Sequence, residues 1–231
     1  MTAADGVARL LARNGPLLLD FDGPVCSIFA GYPAPVIAGE LVSLLRKTDL
    51  AVPEMLADEP DPLEVLRWVG ANGSTAEIVV VEEALCAAEL RAVATAEPTA
   101  FGREVIVAAR QVGLPVAIVS NNSAGAISGY LATHRLSPHV SAIVGRAFAD
   151  PGQMKPNPAP ILQAARSLGA DPSGCVLVGD SLADIEGARA AGVPVIGYAN
   201  RPHKVARFAD AGADCVVTSM GAIADALLIQ S

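Results

Sequence analysis

Leu17-Leu18-Leu19-Asp20-Phe21-Asp22-Gly23 is a short apolar run that ends in two carboxylates and a glycine. An apolar run of this length, bounded by a turn signal, reads as a strand buried on both faces, here Pro16–Leu19. Asp20 and Asp22 then stand just beyond its carboxyl end. The plainer account is a polar turn in which Gly23 supplies an unusual φ. A calcium loop of the EF-hand type is excluded. Its fifth and twelfth positions need oxygen-bearing side chains, and they fall on Pro24 and Gly31.

Outward from that strand the chain divides in character. From Phe101 onward short apolar runs alternate with amphipathic segments. The expected strands are Pro115–Val119, Ser141–Val144, Cys175–Val178, Val193–Gly197 and Cys215–Val217. The expected helices are Ala124–Thr133, Pro158–Leu168, Leu182–Ala191, one from about His203, and Ala222–Leu228. This alternation means βαβ units and a parallel sheet. Between about Gly31 and Pro98 the pattern is helical instead. Val36–Lys47 is one segment, Pro62–Val69 a second with Asp61 as its N-cap, and Thr75–Thr95 a third. In the third, Ile78, Val81, Leu85, Cys86 and Leu90 fall near one face. The expected fold class is therefore α/β. It has a Rossmann-like parallel sheet core, residues 1–25 and 98–231, with a small α-helical cap, residues 26–97, inserted after the first strand.

Composition narrows the function. The 231 residues are 52% apolar but only 4% aromatic, so the interior must be built from Ala, Val, Leu and Ile. The net charge of −8 argues against a nucleic-acid partner or an anionic membrane surface, since both need a positive field. Cys26, Cys86, Cys175 and Cys215 are scattered, without a CxxC pair, and three lie in apolar runs. That pattern suits free thiols and a reducing cytoplasm. Asp5, Arg9, Arg13 and Asn14 interrupt the N-terminal apolar residues, against a signal peptide. The expected localisation is cytoplasmic.

Three further clusters lie beside expected strand ends or helix starts. Ile118-Val119-Ser120-Asn121-Asn122-Ser123 runs from a strand into hydroxyl and amide groups. A helix N-terminus there suits an anion, and ordinary capping by Asn122 or Ser123 accounts for the same residues. Met154-Lys155-Pro156-Asn157-Pro158 hems a lysine between prolines, which either aims its ammonium or leaves it in a solvated loop. Val176-Leu177-Val178-Gly179-Asp180-Ser181-Leu182-Ala183-Asp184 ends a strand in one carboxylate with another four residues on, a spacing that on a helix shares one face. Both acids also suit the positive end of a helix dipole. Taken together the clusters offer hard oxygen ligands of the kind Mg²⁺ takes, and a lysine and N–H donors of the kind phosphate takes.

This ordered set resembles the four motifs of the haloacid dehalogenase superfamily, phosphatase branch with an α-helical cap, phosphoglycolate phosphatase-like. The resemblance runs from Leu17 to about Tyr198. It implies an HAD-like fold and hydrolysis of a small phosphorylated metabolite with Mg²⁺ as cofactor. It implies that Asp20 attacks phosphorus to form an aspartyl-phosphate, and that Asp22 supplies acid–base help and a backbone carbonyl for the metal. Ser120 and Asn121 would bind phosphate, and Lys155 would neutralise charge on nucleophile and phosphate. Asp180 would ligate the metal. Asp184 would orient the lysine or hold a metal-bound water.

Two positions depart from the family pattern. Pro24 replaces the usual Thr or Val, and Ser27 replaces a common acid. Both lie near the expected hinges, Cys26–Ala30 and Glu97–Phe101. A sugar phosphomutase of the same superfamily is disfavoured, because Ile28 and Tyr32 stand where such relatives place Thr and His. A non-catalytic protein on this fold is disfavoured by the four retained charges Asp20, Asp22, Lys155 and Asp180. A dinucleotide-binding domain is set aside, because no GxGxxG follows a strand. Arg46, Lys47, Arg67 and Trp68 are candidates for reading the substrate from the cap.

Overall fold

The protein is described by a computed structural model covering residues 3–48 and 50–229. Six strands make one parallel sheet: β1 (Leu17–Leu19), β4 (Val116–Val119), β5 (Ala142–Val144), β6 (Val176–Gly179), β7 (Val195–Tyr198) and β8 (Cys215–Val217). Their spatial order is β5-β4-β1-β6-β7-β8. Leu17, Leu18 and Leu19 pair with Val116, Ala117 and Ile118 on one side and with Val176, Leu177 and Val178 on the other. The chain fills the sheet to one side of β1 and then to the other. The strand order therefore reverses at β1, and in open α/β sheets the crevice at such a reversal is where ligands bind.

Alternating side chains feed two cores. Leu17, Leu19, Val116, Ile118, Val176 and Val178 face one cluster, and Leu18, Ala117, Val119 and Leu177 face the other. Helices α1 (Ala3–Leu11), α5 (Gly102–Gln111), α6 (Ala124–Thr133) and α10 (Gly221–Leu228) cover the first face. Helices α7 (Ala159–Ser167), α8 (Leu182–Ala191) and α9 (Lys204–Asp210) cover the second. This double covering is why the strands read as continuous apolar runs. Helix α1 has no counterpart among the expected elements. Its Val7, Leu10 and Leu11 are buried in the first cluster.

The residues between β1 and β4 stay out of this sheet. Cys26–Ser27 (β2) pairs antiparallel with Glu97–Pro98 (β3) in a separate two-stranded ribbon. Between them lie α2 (Ala34–Leu45), α3 (Pro62–Asn72) and α4 (Thr75–Val93). These helices share their own apolar cluster, with Ile37, Leu41, Leu45, Val65, Leu66, Val69, Val81 and Leu85 buried. Each such side chain contributes about 2 kcal/mol of burial. Their starts follow local chemistry. Asp61 caps α3 by accepting the Leu63 N–H, and Ser74 with Glu77 forms a capping box on α4.

The expected face of α4 needs correction. Leu90 is 52% exposed and Cys86 only partly buried, whereas Glu82 and Glu89 are almost wholly buried. A count of apolar periodicity cannot register a charged stripe that is buried because its partner lies elsewhere in the chain. None of the four cysteines forms a disulfide among the described residues, and Cys26, Cys175 and Cys215 are buried. No helix among the described residues is long and apolar enough to cross a membrane.

Candidate active site

Asp20 follows β1 directly, and its N–H still bonds the Val178 carbonyl of the neighbouring strand. The carboxylate is thereby fixed at the strand reversal. Its Oδ1 accepts the Phe21 N–H at 2.7 Å and Lys155 Nζ at 2.9 Å. Its Oδ2 carries no hydrogen bond among the described residues. Burial, then Asp184, push the Asp20 carboxyl up to about 7, and the nearby Lys155 opposes this.

Lys155 is buried, which overturns the solvated-loop account. All three ammonium protons are used, by Asp20 Oδ1, by Asp184 Oδ1 at 2.5 Å and by the Val119 carbonyl at 2.8 Å. Its backbone is clamped as well. Asn121 Oδ1 accepts the Lys155 N–H, Asn121 Nδ2 donates to the Lys155 carbonyl, and Arg67 donates to that carbonyl from α3. Prolines restrict this loop, but the side chain's aim comes from these partners.

Asp184 is the third residue of α8 and completes a capping box with Ser181, whose N–H and hydroxyl both donate to Asp184 Oδ2. One oxygen is spent on the cap and the other on Lys155. Asp180 precedes the helix, so the two acids do not share a helical face. They converge because Ser181 turns the chain between them. Carboxylate oxygens of Asp20, Asp180 and Asp184 lie within 4.8 Å of one another.

Asp22 lines the same cavity, with its Oδ1 held by the Ile28 N–H at 3.0 Å. Burial, and then the charges of Asp180 and Asp61, push its carboxyl up to about 6, against the Ile28 hydrogen bond. Gly23 has φ of +102°, and a Cβ there would lie 2.4 Å from the Asp180 carboxyl carbon. Glycine is needed for the backbone and for the approach of the two acidic loops. Ser120 donates its hydroxyl to Asn122 Oδ1, and the Asn121 N–H has no partner among the described residues. Ser123 caps α6, so the capping account of this cluster also holds.

Two groups of residues escaped the sequence reading. Lys204 and Asn200, beyond β7, both donate to Asp180 Oδ2, and Lys204 also to the Asp180 carbonyl. The only sequence signal was a further polar turn after a strand. Arg146, beyond β5, is buried and pairs with Glu82 and Glu89 of α4 at 2.8 Å each. Arg146 also donates to the Asn121 carbonyl, and Glu89 accepts from Asn122 Nδ2 and the Ser123 N–H. The loop carrying Ser120 and Asn121 is thus braced from α4.

The cavity has a volume of about 330 Å³. Its floor carries Asp20, Asp22, Lys155 and Asp180, and Phe29, Asp61 and Leu63 line it from the helical segment. None of Arg46, Lys47, Arg67 and Trp68 lines it. Arg46 and Lys47 are exposed, and Trp68 packs on the helices' own cluster.

Residues 82–198, just over half of the chain, match the family model for haloacid dehalogenase-like hydrolases. The chain belongs to that family. Curated proteins similar to it include phosphoglycolate phosphatases. A plasmid-encoded phosphoglycolate phosphatase of Cupriavidus necator is 37% identical over 123 residues, 51% of this chain and 50% of the relative. The chain thus matches about half the length of that relative. Phosphoglycolate phosphatase of Pectobacterium atrosepticum is 27% identical across 83% of this chain and 82% of its own length. The fold matches that of CbbY from Rhodobacter sphaeroides, solved in complex with phosphate, with a TM-score of 0.67 and 18% identity over 90% of this chain and 94% of that one.

The oxygen-donor set fits a divalent cation. Four carboxylates, Asp20, Asp22, Asp180 and Asp184, stand against two ammonium groups, Lys155 and Lys204. Two negative charges are left over in a partly desolvated site, and hard oxygen ligands with that excess suit Mg²⁺.

Proposed function

We propose that this HAD-family hydrolase is a Mg²⁺-dependent phosphatase of small phosphate monoesters, working through an aspartyl-phosphate on Asp20. The observation that carries the reading is the Asp20 carboxylate. One oxygen is held by Lys155 and the Phe21 N–H, and the other is unbonded on the floor of a cavity that Asp22 shares. A fixed carboxylate with a free lone pair is what in-line attack on phosphorus needs.

In the first step Asp20 Oδ2 attacks phosphorus, the bond to the ester oxygen breaks, and Asp22 delivers a proton to the leaving alkoxide. In the second, water attacks the phosphorus of the aspartyl-phosphate, Asp22 takes its proton, and inorganic phosphate leaves with Asp20 restored. An Asp22 carboxyl near pH 6 is suited to both duties. Ser120 and the Asn121 N–H receive phosphoryl oxygens, and Lys155 neutralises charge on the nucleophile and the phosphoryl group. Asp20, Asp180, the Asp22 carbonyl and Asp184 would hold the metal directly or through water. Mg²⁺, when bound, supplies charge neutralisation for the transferred phosphoryl group.

Residues 26–97 act as a cap over this floor, hinged near Cys26–Ala30 and Glu97–Phe101. A lid of that kind excludes bulk water, and a cavity of about 330 Å³ suits a small metabolite. The test is release of phosphate from an aryl phosphate in Mg²⁺, compared with excess chelator. Asp20→Asn should abolish turnover with the fold intact by circular dichroism, and Asp22→Asn should do the same. Wild-type rates in Asp20→Asn, or full activity in chelator, would refute the mechanism or the metal respectively.

A further inference from the structure

The side of the cavity lined by the helical segment has an unexpected electrostatic character. Its lining from the helical segment is Phe29, Ala34, Pro60, Asp61 and Leu63, which is apolar surface with one carboxylate. Asp61 is exposed, and its carboxylate accepts the Leu63 N–H at the start of α3. Its charge is felt at Asp22 across the cavity. Among the described residues no arginine, histidine or second lysine lines the space. Lys155, the one lining cation among the described residues, has every ammonium proton committed to Asp20, Asp184 and the Val119 carbonyl. Arg67, the nearest cap cation by sequence, is turned to the Lys155 carbonyl and to Glu64.

A leaving group bearing its own carboxylate would meet Asp61, whose charge Arg67 offsets only in part from outside the cavity lining. One bearing hydroxyl or ammonium donors would find an acceptor and an apolar wall. We infer that Asp61 is a specificity-determining residue that selects phosphate monoesters of neutral or cationic alcohols and rejects those with a second anionic group, phosphoglycolate included. This inference rests on the phosphatase reading above and names the substrate class of that same site. It separates this chain from the phosphoglycolate phosphatases it resembles. Like charges in a half-open cleft are partly screened, so the expected discrimination is on the order of tenfold.

The test uses three esters of nearly equal size: phosphoglycolate, 2-hydroxyethyl phosphate and phosphoethanolamine, with an aryl phosphate as reference. The wild-type kcat/KM should be lowest for phosphoglycolate, by about tenfold against phosphoethanolamine. Asp61→Asn keeps an N-cap acceptor for α3, so the fold is preserved. It should compress that ratio several-fold in favour of phosphoglycolate. The readout is a ratio within each variant, so a general loss of activity cancels. Phosphoglycolate as the best of the three substrates, or an unchanged ratio in Asp61→Asn, would overturn the inference while leaving the phosphatase reading intact. Failure to hydrolyse even the aryl phosphate in Mg²⁺ would overturn both.

Discussion

Replacing Arg146 with Met keeps most of its length and removes its charge. The guanidinium donates from Nε to Glu82 at 2.9 Å and from Nη2 to Glu82 at 2.8 Å. Nη1 donates to Glu89 at 2.8 Å and to the Asn121 carbonyl at 2.6 Å. All three side chains are essentially inaccessible to water. One cation therefore serves two carboxylates. The surplus charge of Glu89 is offset by the Ser123 N–H at the positive end of α6. Removing the cation strands two carboxylates in the interior, which costs about 3–5 kcal/mol. Against the 5–15 kcal/mol of a typical domain, this is a large share. At a urea slope of roughly 2–3 kcal/mol/M the midpoint should fall by about 1–2 M. The triple variant Arg146→Met, Glu82→Gln, Glu89→Gln should recover most of the loss, because no ionised group is left unpaired. The bond to the Asn121 carbonyl gives a second readout. Well below its unfolding midpoint, Arg146→Met should lose kcat through a loosened Ser120–Asn121 loop. A midpoint shift under about 0.3 M, or a triple variant no more stable than the single one, would refute this account of the network.

Two further outcomes follow from the site. Gly23→Ala drives a Cβ into the Asp180 carboxylate at a backbone angle that alanine rarely adopts, so it should cost stability and most of the phosphatase activity; a fully active variant would refute the close packing of the two loops. In the metal-free protein the Asp20 and Asp22 carboxyls hold their protons to about pH 7 and about pH 6, well above their ordinary value of 3.8. Between roughly pH 4 and 7 the folded chain then binds more protons than the unfolded chain, so stability falls as pH rises through that window. Denaturation at pH 5 and 7.5 should show a loss on the order of 4 kcal/mol without metal. Saturating Mg²⁺, which favours the ionised carboxylates, should reduce it. A metal-free protein equally stable at both values would contradict the burial of these acids.

What was legible in the chain by itself was whatever depends on neighbours in sequence. Strands buried on both faces must be apolar throughout, so Leu17–Leu19, Val116–Val119 and Val176–Gly179 announced themselves and carried Asp20, Ser120 and Asp180 to one sheet edge. Helix caps at Asp61 and Ser123 were local for the same reason. Tertiary structure decided what depends on distant partners. Lys155 is buried because Asp20 and Asp184, 135 and 29 positions away in the chain, share its protons. Glu82 and Glu89 look like solvated charges on a helix until Arg146 closes on them from the far side of β5. Lys204 reaches Asp180, and Asp61 reaches the cavity, only once the helices are packed. Periodicity reports which face of an element is apolar. It cannot report that a charge is buried against its opposite, because the desolvation cost is cancelled by a residue that local sequence does not contain.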